Sequence, residues 1–229
     1  MPRNIYIIFG PPGSGKGTQA EMISEKFKIP TISVGNLLRH EEEGKSKLAK
    51  QLRKILSAGK LVKEKTVDHI LSARLKKKDV KKGFVLDGYP RNVSQFHHLF
   101  KEINKKKDDK IIFIFIKTSD KEIKERLGKR RACECGETYH LKFKKPKKAG
   151  RCDACGKKLY IREDDKPEII KNRIKLYHES TQPIIALAKK TGHEIIVDGD
   201  KDIKEVSKEM FKKIKEISSP LRKGRSGGV

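Results

Sequence analysis

Apolar residues in this chain gather in short, dense runs set between stretches of amphipathic pattern. Ile5-Tyr6-Ile7-Ile8-Phe9, Phe84-Val85-Leu86 and the run from Ile111 to Ile116 have strand length and read as buried strands. With two shorter runs they predict strands near 4–9, 30–33, 84–87, 111–116 and 194–197. Apolar residues at helical spacing predict helices near 16–27, 92–105, 120–130, 166–190 and 202–216. Strand and helix alternate, which is the order of an α/β fold: a parallel five-stranded sheet with helices on both faces. Functional loops are then expected at the carboxyl ends of the strands.

Two segments break the alternation. Residues 34–76 read as short helices, Gly35–Glu43, Lys45–Leu56 and Glu64–Leu75, separated by Gly44 and Gly59. Residues 127–165 read as a small, turn-rich, β-type insert that holds every cysteine. The expected division is therefore a core of 1–33, 77–126 and 166–217, a helical insert of 34–76 and a second insert of 127–165. Residues 218–229 lack a hydrophobic pattern, and a disordered basic tail is expected there. No internal repeat is evident. The longest apolar runs are far below membrane-spanning length, and the chain enters its first strand without a leader-like apolar region, so no membrane partner and a cytoplasmic location are expected.

Charge changes this picture little. Lys and Arg total 56 against 30 Asp and Glu, a net charge of +26, which raises nucleic acid as a partner. Yet lysines cluster in nearly every segment, Trp is absent and aromatics are only 6%, so stacking residues do not interleave with the charge. A solvated Lys-rich surface is the expectation, and specific nucleic-acid binding is not. The competing class is a nucleic-acid-binding protein built on an NTPase core.

Chemistry enters with Gly10-Pro11-Pro12-Gly13-Ser14-Gly15-Lys16-Gly17-Thr18. It lies between the first strand and a helical pattern, the context that makes a glycine-rich phosphate loop a structural proposal. Glycines let backbone N–H groups turn toward one anion, and the helix N-terminus adds partial positive charge. Lys16 supplies a full charge for the outer phosphates. The usual pattern has Ser or Thr directly after the Lys; here Gly17 intervenes before Thr18. A second stretch, Gly83-Phe84-Val85-Leu86-Asp87-Gly88-Tyr89-Pro90-Arg91, ends a strand in an acid, a glycine turn and an Arg. Asp87 stands where a P-loop enzyme holds Mg²⁺, directly or through water. Arg91 can clamp a phosphate bidentately.

These stretches resemble the adenylate kinases and related nucleoside monophosphate kinases. The form GxPGxGKGT is similar to their phosphate loop, and GFVLDGYPR to their second motif. Ile32-Ser33-Val34-Gly35-Asn36-Leu37-Leu38-Arg39 resembles the family's ISTGDLLR, Gly59-Lys60-Leu61-Val62 its GKLV, and Asp198-Gly199-Asp200-Lys201 its late DG-x-K turn. The similarity runs from about residue 5 to residue 205. It implies a P-loop NTPase fold with 34–76 as the monophosphate-binding insert and 127–165 as a lid. It implies ATP phosphates cradled by Gly13, Ser14, Gly15, Lys16, Gly17 and Thr18, with Lys201 beside the ATP base. Arg39 and Arg91 are implied to hold the AMP phosphate. Val34, Lys60, Leu61, Val62 and Gln95 would meet the AMP adenosine, with Gly88, Tyr89, Pro90 and Arg91 walling the site. The lid arginines Arg126, Arg130 and Arg162, with Arg173, would surround the phosphates, and Asp164 and Asp165 would help close the site.

The chain departs from the family at Val34, which replaces Thr, and at Asn36, which replaces Asp. A missing polar group at a base-reading site can relax specificity by orders of magnitude. AMP is the expected acceptor through Gln95, with GMP, CMP or UMP as the runner-up.

The cysteines read Cys133-x-Cys135, then sixteen residues, then Cys152-x-x-Cys155. The second pair has zinc-knuckle spacing; the first is one residue short. The resemblance is to lids pinned by structural zinc without catalytic duty, which suits a segment too small to own a core. Free thiols are the alternative, and His140 is a fallback ligand, though an ordinary lid histidine is the stronger reading. The expected activity is ATP:AMP phosphotransfer giving ADP, in a monomer, with Mg²⁺ on ATP and Zn²⁺ in the lid. Lys16, Arg126, Arg162 and Arg173 are expected to stabilise the moving phosphoryl group, and Asp87 to hold Mg²⁺.

Overall fold

A computed structural model describes residues 3–103, 109–191 and 193–218. Its centre is a five-stranded parallel sheet of β1 (Asn4–Phe9), β2 (Thr31–Ser33), β3 (Gly83–Asp87), β4 (Lys110–Lys117) and β7 (Glu194–Asp198), in the order β2-β3-β1-β4-β7. The two remaining strands, β5 (Arg130–Ala132) and β6 (Thr138–His140), form a separate antiparallel ribbon. This is the parallel sheet the alternation predicts, in the P-loop NTPase arrangement the resemblance implies.

The central strands are apolar throughout because helices cover both sheet faces. Alternate residues point to opposite sides. Ile5, Ile7 and Phe9 of β1 pack with Phe113 and Phe115 of β4 in one core cluster. Tyr6 and Ile8 join Ile112, Ile114 and Ile116 in the other. The first face is covered by α2 (Val34–Glu42), α3 (Lys47–Ser57), α4 (Glu64–Leu75), α5 (Val93–Ile103) and α8 (Ile184–Lys189). The second is covered by α1 (Lys16–Phe27) and α9 (Ile203–Ser218). Each fully buried Ile or Phe contributes roughly 2 kcal/mol, so this two-sided core holds the loops at the strand ends rigidly.

The helical insert follows its pattern closely. Ser46 starts α3 by accepting a hydrogen bond from Ala49 N–H at 3.0 Å. Leading into the second insert, α6 (Asp120–Gly128) stops two residues short of the expected end, because the chain enters β5 there. A small cluster of Cys133, Tyr139, Cys152 and Leu159 is all the core this insert owns.

The helix expected over 166–190 is not continuous. α7 covers Pro167–Leu176 and α8 Ile184–Lys189, with a π turn at Tyr177–Thr181 between them. Pro183 is the physical reason: it has no N–H to donate, and its ring presses on the preceding turn of an α-helix. Gln182 N–H instead reaches back five residues to Tyr177 C=O at 2.9 Å. Among the described residues, no helix is long and apolar enough to cross a membrane. Residues 219–229, and so nearly all of the tail expected to be disordered, lie outside the described residues.

Candidate active site

β1 sits in the middle of the sheet and ends at Phe9, so the loop that follows lies at the centre of the strands' carboxyl edge. Gly13 and Gly15 adopt left-handed backbone angles, φ 79° and 90°. A Cβ on Gly13 would stand 2.9 Å from Leu127 Cγ, so only glycine fits. Gly15 and Gly17 instead face open space, with nothing within 4 Å of where a Cβ would be. No side chain caps α1, so its first N–H groups are left for an anion. Lys16 Nζ meanwhile donates to Pro11 C=O at 2.8 Å. Burial lowers the Lys16 pKa to about 8; Asp87 opposes this, and Arg91, Arg173 and Arg130 add to it. Ser14 is not brought to the cavity. Its hydroxyl is buried without a partner, and its N–H donates to Pro11 C=O at 3.2 Å.

Asp87 ends β3, opposite Ile8 of β1 and Ser33 of β2. Parallel pairing thus sets its carboxylate beside the phosphate loop. Oδ2 accepts from Ser33 Oγ at 3.4 Å, and Oδ1 is buried with no partner. An orphaned buried carboxylate oxygen costs energy unless a ligand meets it, so this oxygen fits a Mg²⁺-bound water.

The turn after Asp87 forms one wall of a cavity beneath the helical insert. Gly88, Tyr89, Pro90, Arg91 and Gln95 line it from one side, and Val34, Arg39, Lys60, Leu61 and Val62 from the other. Tyr89 spends its hydroxyl on Asp68 Oδ1 at 2.6 Å, so it supports the wall from behind. Arg91 is held at both ends of its backbone and at Nε, which donates to Gly88 C=O at 3.0 Å. Burial lowers the Arg91 pKa first, then Arg173 beside it; Arg39 is lowered too, by burial and then by Arg130 and Arg91 against Asp164. Asn36 Oδ1 accepts from Arg39 Nη2 at 2.7 Å, so the Asn that replaces Asp still holds this arginine.

The second insert and α7 bring further cations. Arg130 makes a two-pronged contact with Asp165, Nε to Oδ2 at 2.7 Å and Nη2 to Oδ1 at 2.5 Å. Arg173 Nη1 contacts Asp165 Oδ1 at 2.9 Å and Asp164 Oδ2 at 3.0 Å. Arg162 has a buried Nε without a partner, and its pKa is lowered to about 9 by burial and then by Arg130 and Arg39, against Asp164 and Asp165. So many cations repel one another unless a polyanion sits among them.

A second cavity opens between the phosphate loop and the second insert. Gly13, Gly15, Lys16, Gly17 and Thr18 form its floor, with Arg126 and Lys201 at one end. Lys16, Asp87, Arg130 and Arg162 line both cavities, so the two meet there. The expected site residues are thereby brought together, Ser14 excepted.

Sequence reasoning missed Phe143, and read His140 as an ordinary lid histidine or a fallback ligand without placing it in this cavity. Their rings stack 4.7 Å apart in the second cavity, and the Arg126 guanidinium lies 5.6 Å from the Phe143 ring. His140 accepts from Lys142 N–H and Phe143 N–H at Nδ1 and stands apart from the cysteines, so it is no metal ligand. No spacing signal marks this platform; the turn after β6 creates it.

The four cysteine Sγ atoms lie within 4.8 Å of one another, with Cys133–Cys155 at 3.4 Å and Cys135–Cys152 at 3.6 Å. Four thiolates about 2.3 Å from one tetrahedral zinc would be spaced about 3.8 Å apart, so the set fits that ion. The shortened first pair is accommodated by a tighter turn. Gly136 N–H bonds to Cys133 C=O at 3.0 Å, three residues back, whereas Gly156 N–H bonds to Cys152 C=O at 2.9 Å, four back. Both turns then close alike, Cys133 N–H to Glu137 C=O and Cys152 N–H to Lys157 C=O, each at 2.9 Å.

Fold and site together define a P-loop phosphotransferase with two cavities meeting at one cluster of cations. A family model described as adenylate kinase matches residues 8–193. Curated relatives named adenylate kinase include that of Methanothrix thermoacetophila, 42% identical over 90% of this chain and 96% of the relative. Those of Caldicellulosiruptor bescii (41%, covering 90% and 96%) and Archaeoglobus fulgidus (41%, covering 93% and 99%) are similarly close. The chain belongs to the adenylate kinase family. These matches do not favour the nucleic-acid-binding alternative.

Proposed function

We propose that the protein catalyses the reversible transfer of the terminal phosphoryl group of MgATP to AMP, giving two ADP. The observation that supports this most is the meeting of the two cavities at Lys16, Asp87, Arg130 and Arg162. A hydrolase or one-substrate NTPase has no use for the second, walled cavity. ATP phosphates would lie on Gly13 to Thr18, with the base against Arg126, His140, Phe143 and Lys201. The AMP phosphate would be held by Arg39 and Arg91, and its adenosine by Val34, Lys60–Val62 and Gln95. Arg130, Arg162 and Arg173 spread positive charge around the moving group, while Lys16 holds its outer oxygens; Arg126, expected there too, lines the donor cavity alone and in this reading serves the base. Phosphoryl transfer asks little covalent chemistry of the protein, and the acceptor phosphate is already anionic, so positioning and charge suffice. When bound, Mg²⁺ neutralises the donor phosphates; Asp87 would hold it through water.

In this reading 34–76 and 127–165 are the moving parts. They already face each other across the cleft: a Cβ on Gly136 of the lid would stand 3.6 Å from Asn36 Nδ2 of the helical insert. Closure excludes water, so ATP hydrolysis stays slow. A coupled assay with MgATP against AMP, GMP, CMP and UMP tests the proposal. AMP should be used best by at least tenfold. Equal rates with all four would sink the assignment of the acceptor cavity.

We also infer structural zinc on Cys133, Cys135, Cys152 and Cys155. When bound it cross-links the two lid turns, which otherwise share one four-residue core. Elemental analysis should find one zinc per chain, and Cys152→Ser should lose it and lower the lid's protection from amide exchange. A wild-type protein free of zinc after purification without chelators would overturn this.

A further inference from the structure

The π turn at Tyr177–Thr181 has a geometric consequence for the acceptor site. An α-helix advances about 100° per residue, so eight residues would carry Thr181 about 80° around the axis from Arg173. A π turn absorbs one extra residue, so the advance is that of seven residues and Thr181 returns to within about 20° of Arg173. Both residues accordingly line the cavity that Arg91 lines. There Thr181 Oγ1 donates to Arg91 C=O at 2.8 Å.

That contact completes a clamp. Arg91 N–H donates to Gln95 Oε1 at 2.8 Å, and Arg91 Nε donates to Gly88 C=O at 3.0 Å. These two partners are near in sequence and move with the turn itself. Thr181 is 90 residues away and ties the turn to the segment carrying Arg173. We propose that Thr181 is a positioning residue for acceptor binding: the π turn delivers its hydroxyl to the Arg91 carbonyl and so aims the Arg91 guanidinium at the acceptor's phosphate. The inference rests on reading Arg91 as a ligand of that phosphate.

The test is steady-state kinetics of the full chain with AMP and ATP varied in turn, for Thr181→Val, Thr181→Ala, Thr181→Ser, Arg91→Ala and Thr181→Val/Arg91→Ala. Losing one neutral hydrogen bond should raise the KM for AMP about fivefold in Thr181→Val and Thr181→Ala. The KM for ATP should stay within about twofold, and Thr181→Ser should restore the AMP value. On the Arg91→Ala background, Thr181→Val should add nothing, because the group it aims is gone. Equal rises in both KM values, a failure of Ser to rescue, or a further fivefold loss in the double variant would each overturn the proposal in favour of plain helix support. An Arg91→Ala enzyme with unchanged KM for AMP would instead overturn the acceptor-site reading itself. If Val perturbs folding, seen as a lowered thermal midpoint, the Ala and Ser variants decide.

Discussion

Lys16→Ala lowers turnover about a thousandfold while the protein remains folded. The argument starts from where Lys16 stands. It opens α1 at the floor of the cavity proposed for the donor and lines the one proposed for the acceptor as well. In the proposed reading its charge therefore stands where the phosphoryl group passes between two nucleotides. At pH 7 its ammonium is charged even without nucleotide, because burial lowers its pKa only to about 8. Removing it takes a full positive charge from a water-poor site, where charge counts most. Stability should hardly fall, since Lys16 faces Arg91, Arg173 and Arg130 as well as Asp87, and among the described residues its ammonium donates to Pro11 C=O alone. A coupled ADP assay and a thermal melt check both halves. More than a tenth of wild-type turnover in a folded Ala variant would show that Lys16 is not at the transferring group.

Asp165→Ala is the second large effect, and it acts first on stability. The Asp165 side chain is fully buried and takes contacts from both Arg130 and Arg173. Breaking a buried pair by removing one partner costs about 3 kcal/mol, because the remaining charge is left uncompensated. Here Arg130 is released among Arg162, Arg39 and Lys16, while Arg173 keeps its contact with Asp164. The thermal midpoint should fall by roughly 10 °C in a chain of this size. Nucleotide should recover part of that loss, since phosphates can replace the missing negative charge. A melt with and without a bisubstrate nucleotide pentaphosphate measures both. An unchanged midpoint would mean that the carboxylate does not hold the arginine cluster together. A fall that ligand does not reduce would mean that the cluster does not serve phosphate.

Much of the fold was legible because its signals are local. The double-sided burial of β1 and β4 leaves continuous apolar runs, and the helical insert is written as three short helical stretches separated by Gly44 and Gly59. The break at 177–183 was less legible. Pro183 marks a disturbance, but helical periodicity on either side hides whether the helix kinks, ends or widens. Packing against the Arg91 turn favours widening, and that contact spans 90 residues. The cysteine spacing suggested metal while leaving the short first pair in doubt. A three-residue turn in one half and a four-residue turn in the other brought the four sulfurs together.

The site divides the same way. Sequence alone determined the phosphate loop, because glycines with left-handed angles before a helix leave a spacing that few other structures need. It also determined the family, the acid at the end of β3 and the candidate arginines, each through a short motif. Only the tertiary structure decided that Lys16, Asp87, Arg130 and Arg162 share both cavities, that Asp165 unites Arg130 with Arg173, and that His140 belongs to the second cavity and not to the cysteine cluster. The reason is physical. Motifs record what backbone conformation and local charge require of neighbours in sequence, whereas which charges meet depends on parallel pairing and on the docking of two inserts whose contacts no local pattern encodes.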